Sequence, residues 1–143
     1  MVQLAMAPTR IVRFVLHSNW QAKPSVDTSF TEIVIASRPP GFTPVTINVG
    51  GTVTSIGQGL QHVCVLLDDG TVKCWGQNNY GQVGDGSTTN RNSPQTINVG
   101  GTVLKLAVGG YTTCVWLTSG TMKCWGYNSH GETGDGSTSH RAL

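Results

Sequence analysis

Cys64-Val65-Leu66-Leu67-Asp68-Asp69-Gly70-Thr71-Val72-Lys73-Cys74-Trp75-Gly76 returns fifty residues later as Cys114-Val115-Trp116-Leu117-Thr118-Ser119-Gly120-Thr121-Met122-Lys123-Cys124-Trp125-Gly126. Cys, Gly, Thr, Lys, Cys, Trp and Gly keep their spacing. Two β-prone runs flank a short Gly-containing turn, so the unit reads as a hairpin. A three-residue loop, Asp68-Asp69-Gly70, places Gly in the left-handed position. Counting outward, Leu67 faces Thr71, Leu66 faces Val72, Val65 faces Lys73 and Cys64 faces Cys74. The same count sets Cys114 opposite Cys124. A two-residue loop would shift the pairing and separate the cysteines.

Directly opposed residues of an antiparallel pair lie within disulfide range. The register predicts bridges Cys64–Cys74 and Cys114–Cys124, each closing a short loop that stabilises by about 2–3 kcal/mol. Two other readings stand beside it. Reduced cysteines fill small core positions well, and compartment decides which state holds. A single zinc ion on all four sulfurs would require facing sheets, about 10 Å apart, to distort.

Outside the hairpin the repetition continues. Setting 44–93 against 94–143 gives 27 identities in 50 positions, the signature of a repeat architecture. Each copy offers short strands and turns: Pro44 to Val49, a Gly50-Gly51 turn, Val53 to Ile56, His62 to Leu67, and Thr71 to Gly76. A long polar loop, Gln77 to Ser93, follows. Helical periodicity is absent. The expected class is all-β, with about two four-stranded blades of a partial β-propeller. The division is 1–42, 43–93 and 94–143, the last copy ending where its closing strand should begin. Two blades cannot close a ring, so the chain is expected to be a fragment of a longer protein with further blades.

Residues 1–42 differ in kind. They hold one of the 19 glycines, four of the six prolines and no cysteine. Neither a signal-peptide pattern nor a membrane-spanning apolar run is visible. The fifty-residue register fails there, with Phe14, Pro24, Ser25 and Val26 where Cys, Cys, Trp and Gly should fall. The segment is read as a genuine N-terminal segment or as the product of a shifted reading frame or mis-called start. Charge concentrates there too: 1–42 carries +2 and 43–143 carries zero. The repeats therefore lack a basic stripe for phosphates, and nucleic acid is not an expected partner.

No Ser/His/Asp set, carboxylate pair or phosphate loop stands out, so no enzyme and no cofactor is expected. His62 has Thr112 as its counterpart and reads as a core polar residue. Trp75 and Trp125 read as blade-to-blade packing. Asp85 and Asp135, each in Gly-Asp-Gly-Ser-Thr, supply too few carboxylates for calcium and read as Asx turns. Differences between the copies fall in loops: Gln77 against Tyr127, Asn79-Tyr80 against Ser129-His130, and Leu60-Gln61 against Gly110-Tyr111. Gln77, Asn79, Tyr80, Tyr127, Ser129 and His130 are the candidate interaction residues.

These residues resemble the regulator of chromosome condensation repeat. The resemblance lies in Gly59, Cys64-Val-Leu-Leu, Asp69-Gly70-Thr71-Val72-Lys73-Cys74-Trp75-Gly76-Gln77-Asn78, Gly81-Gln82-Val83-Gly84-Asp85-Gly86, Arg91 and Pro94. It recurs through Cys124-Trp125-Gly126-Tyr127-Asn128, Gly131, Gly134-Asp135-Gly136 and Arg141. The cysteine-bearing form is similar to bacterial members. The resemblance implies a ring of about seven blades acting as a binding platform through its loops; with no catalytic constellation beside it, the expected role is a non-enzymatic protein-interaction scaffold. Family analogy alone adds two alternatives: guanine-nucleotide exchange on a small GTPase, and a secreted inhibitory or carbohydrate-binding propeller. Disulfide-bonded cysteines would favour an extracellular or cell-surface location.

Overall fold

The computed structural model of the protein describes residues 12–15, 30–36 and 45–143, with side chains over 45–143. All regular structure among them is strand. The chain divides into two compact units, Met1–Thr52 and Val53–Leu143. In the first, β1 (Val12–Val15) pairs in parallel with β2 (Phe30–Ala36), Val12 opposite Ile33 and Val15 opposite Ala36. The remainder of 1–42, and Pro44 at the expected strand start, lie outside the described residues.

The second unit contains the repeats. β3 (Val45–Gln58) enters it at Val53, followed by β4 (His62–Leu67), β5 (Val72–Gly76) and β6 (Arg91–Ile97). β3, β4, β5 and β6 are successive antiparallel neighbours and form blade 1. β7 (Val103–Gly109), β8 (Thr112–Leu117) and β9 (Met122–Gly126) form blade 2 in the same antiparallel order. Gly126 makes an isolated bridge to Arg141, repeating the Gly76–Arg91 pair at which β6 joins β5.

Two details differ from the expected pattern. The long loop after Gly76 ends at Arg91 rather than Ser93, because β6 already pairs there with β5. The Gly50-Gly51 turn is absorbed into β3, although Gly50 has φ 72°. Its counterpart Gly100-Gly101 lies between β6 and β7 and does break the strand.

The hairpin register follows the loop count. Leu66 faces Val72, Val65 faces Lys73 and Cys64 faces Cys74, and Cys114 faces Cys124 likewise. The Gly70 N–H donates to the Leu67 carbonyl at 3.0 Å, with Gly70 at φ 81°. That φ is open to glycine at little steric expense. Both cysteine pairs lie at disulfide distance, with sulfurs 2.13 and 2.12 Å apart.

One apolar cluster joins the blades. Blade 1 contributes Cys64, Leu66, Val72, Cys74 and Ile97; blade 2 contributes Val103, Val115, Leu117 and Trp125. Subtracting fifty turns the second set into Val53, Val65, Leu67 and Trp75, the residues that alternate with the first set along each strand. Successive side chains of a strand point to opposite faces, so one face of blade 1 packs on the opposite face of blade 2. This is how propeller blades stack. Consequently the blade 2 residues equivalent to Leu66 and Val72 are uncovered: Trp116 is 46 % exposed and Met122 70 %.

Candidate functional site

The loop after each blade's third strand is built by one buried asparagine. Asn78 Nδ2 donates to the carbonyls of Ser87 and Thr89 at 2.9 and 3.1 Å, while Oδ1 accepts from the Val83 N–H at 2.9 Å. Asn128 repeats this with Ser137, Ser139 and Thr133 at 3.0, 3.0 and 2.8 Å. An irregular loop must satisfy its backbone groups through side chains when they leave water. A primary amide, with two donors and one acceptor, spans the loop better than a smaller polar group would.

Asp85 and Asp135 close the same loops. Asp85 Oδ1 accepts from the Ser87 N–H and hydroxyl at 3.1 and 2.8 Å, and Oδ2 accepts from Arg91 Nε. In the second copy Asp135 Oδ1 accepts from the Ser137 N–H at 2.9 Å and Oδ2 accepts from Arg141 Nε. The Asx turns are therefore present, and each carries an arginine partner that the sequence reading did not assign. Burial alone would raise the Asp85 carboxyl, but Ser87 and Arg91 outweigh it and hold it below its ordinary range. Asp135 is held down by its hydrogen bonds from Ser137 and Arg141.

So positioned, the loops of both blades present aromatic rings at one place. Tyr80 is the centre. It meets Tyr111, Tyr127 and His140 edge-on, at centroid distances of 5.3, 5.1 and 4.9 Å. Tyr127 stacks on His140 at 4.9 Å, and His130 lies 6.2 Å from Tyr127. Edge-on and offset contacts at these distances suit the ring quadrupoles. The backbone at Tyr80 is fixed by Gln82, whose Oε1 accepts the Tyr80 N–H at 2.9 Å; Glu132 does the same for His130. The three tyrosines are half-buried, and both histidines are exposed. Leu60, 52 % exposed, donates its N–H to the carbonyl of Gly110, the chain neighbour of Tyr111, at 2.8 Å.

Of the candidate residues, Tyr80, Tyr127 and His130 come together here. Gln77 does not: its backbone N–H donates to the Gln61 carbonyl, and its side-chain oxygen is buried. Asn79 and Ser129 are exposed and make no side-chain hydrogen bond among the described residues. His140 was missed, although it differs from its counterpart Asn90 as clearly as His130 differs from Tyr80. Gln82 was also missed, because its part in holding the blades together is played by a backbone carbonyl.

That carbonyl lies in the seam between the blades. The Gln82 oxygen accepts from the Thr113 hydroxyl at 2.9 Å and from Trp125 Nε1 at 3.0 Å. Trp125 is thus the blade-to-blade anchor expected of it. His62 is 1 % exposed, with Nε2 2.9 Å from Thr113 Oγ1. Burial lowers its pKa to about 4. Among the described residues, no three His, Cys, Asp or Glu side chains group as metal ligands. No helix among them is long and apolar enough to cross a membrane.

Comparison with known proteins places this geometry. Models of the regulator of chromosome condensation (RCC1) repeat match residues 53–82 and 103–132, and residues 69–116, together more than half of the chain. No curated protein sequence matches it. Human WBSCR16 is similar over 71 % of this chain and 28 % of its own, at 25 % identity and a TM-score of 0.61. Yeast RCC1 (Prp20), in its complex with Kap60, is similar over 70 % of this chain and 26 % of its own, at 18 % identity and a TM-score of 0.64. The chain thus spans little more than a quarter of these propellers. By its repeats and its blades, it belongs to the regulator of chromosome condensation (RCC1) repeat family.

Proposed function

We propose that the chain is a non-enzymatic binding module whose protein partner docks on the tyrosine face. One observation carries this reading: Tyr80, Tyr111, Tyr127 and His140 converge from loops of two blades onto one partly exposed patch. Tyrosine provides large contact area with little side-chain entropy to lose, and it is enriched where proteins bind proteins. The loops beneath are held by Asn78 and Asn128, so the rings are presented in a fixed arrangement. The two cysteine pairs favour an oxidising, extracellular setting.

The test is affinity capture from extract of the native host, using the chain and its Y80S/Y127S variant. The reading predicts a protein retained by the first and lost with the second, while a variant of exposed Thr118, at the hairpin turn, retains it. Equal capture by all three chains overturns it.

A further inference from the structure

The tyrosine face is assembled across a seam that contains a buried histidine. Tyr80 belongs to the loop of blade 1; Tyr111, Tyr127 and His140 belong to blade 2. In that seam His62 of blade 1 meets Thr113 of blade 2. The Thr113 hydroxyl has one proton, and it is engaged with the Gln82 carbonyl. Thr113 Oγ1 therefore accepts from His62, which places a proton on Nε2. Nδ1 is buried and has no hydrogen-bond partner among the described residues. It lies against the backbone of Gly59, where even a β-carbon would stand 2.4 Å from it.

This setting cannot hold an imidazolium. A proton on Nδ1 would place a charge in the seam without a counter-ion. Among the described residues the surrounding elements supply none: β3 has no titratable group, and β7 has only Lys105, a cation that lies over Trp116. The Gly59–Gln61 turn has no titratable group. β8 has only Cys114, which is paired with Cys124. β5 brings Lys73, whose register partner is Val65, three residues along β4 from His62. The 77–91 segment brings Tyr80, Asp85 and Arg91, and the last two pair with each other. The 109–111 turn brings Tyr111. A protonated His62 gains solvation only by parting the blades.

We propose that His62 is an acid-sensitive latch, whose protonation opens the His62–Thr113–Gln82 seam and dismantles the tyrosine face that straddles it. Regulation of binding by this latch rests on the tyrosine face being the docking surface. The seam itself does not.

Amide hydrogen exchange of the whole chain between pH 7 and pH 4 tests the latch, read at Leu60 and Val103, whose N–H groups bond across the seam to Gly110 and Gly70. After correction for intrinsic exchange, their opening constant rises by about two orders of magnitude as pH falls from 6.5 to 4. In His62→Gln, which keeps an N–H donor toward Thr113, it stays flat. Parallel curves for the two chains overturn the latch. The His62 imidazole resonances of the native chain provide a second readout if the variant does not fold. A proton on Nε2 at neutral pH, and protonation in step with seam opening, support the latch. Titration near 6.5 with the seam amides unmoved overturns it. Neither readout uses a partner. A closed seam in acid removes the latch and leaves the docking face standing; an acid-opened seam with partner capture indifferent to Y80S/Y127S keeps the latch and overturns its regulatory role.

Discussion

The indole N–H of Trp125 donates to the carbonyl of Gln82, 3.0 Å away and one blade earlier. The N–H edge of the ring comes so close to the preceding loop that a β-carbon at Gly84 would stand 2.3 Å from Nε1. Gly84 is also at φ 84°. Gly84→Ala therefore meets two penalties, backbone strain and overpacking, and should destabilise by about 2–4 kcal/mol. Trp125→Phe loses one buried hydrogen bond and part of its packing, while Thr113 still serves the Gln82 oxygen, and should lose about 1–3 kcal/mol. Urea denaturation of both variants checks the order. A milder effect for the alanine would mean that the indole does not rest on Gly84.

Asn78 is fully buried, and its amide bonds backbone groups of Val83, Ser87 and Thr89. Asn78→Ala should cost about 2–4 kcal/mol, since it strands several groups at once. Asn78→Asp is nearly the same shape but turns the donor end into an acceptor, aimed at two carbonyls and at Asp85. At neutral pH it should be no better than alanine, and it should improve as the new carboxyl is protonated. Denaturation midpoints at pH 7 and pH 4.5 separate the two variants.

Much of this was legible because the chain states it twice. The spacing from Cys64 to Cys74, repeated at Cys114 and Cys124, admits one hairpin register, and the strands pair in that register. Asp85 and Asp135 could be read as Asx turns because the serine two residues on recurs as well. What stayed hidden depends on tertiary placement. Gly50-Gly51 and Gly100-Gly101 are identical dipeptides, yet only the second interrupts a strand, so local propensity could not distinguish them. The copy-to-copy differences did point to Tyr80, Tyr127 and His130. They could not show that Asn79 and Ser129 stand apart, because a loop's variable residues are set by where its fixed ones turn the backbone. The seam contact of Gln82 is made by a backbone carbonyl, which no residue type announces.

The two hairpin bridges should differ in accessibility. Cys64 and Cys74 are fully buried beneath blade 2, whereas Cys114 and Cys124 are half-buried on its uncovered face. Thiol–disulfide exchange requires access to a sulfur. Under mild reductant Cys114–Cys124 should open first, as followed by alkylation and peptide mass mapping. Loss of both bridges should lower stability, each loop contributing about 2–3 kcal/mol. Simultaneous opening would indicate that reduction proceeds from the unfolded chain.

Acid should dismantle the molecule in a fixed order. The pKa of His62 is lowered by burial from 6.5 to about 4. Its unfolded form therefore binds the proton first, so the stability it contributes is complete above pH 6.5 and is lost as pH falls from there to 4. Asp85 shifts in the same direction for a different reason. Its burial is outweighed by hydrogen bonds from Ser87 and by Arg91, and Asp135 is held down by Ser137 and then Arg141. A carboxyl whose folded pKa is depressed contributes above its ordinary value of 3.8 and loses that contribution only below it. The seam should thus weaken while both Asx loops remain intact. Backbone amides of Leu60 and Val103 would report the first step, and those of Ser87 and Ser137 the second. Arg91→Ala removes one of the groups holding Asp85 down and should move the loss of the first loop to higher pH without moving the seam. A shift of both steps together would show that the loop and the seam are one cooperative unit, with Gln82, which joins them, transmitting the change.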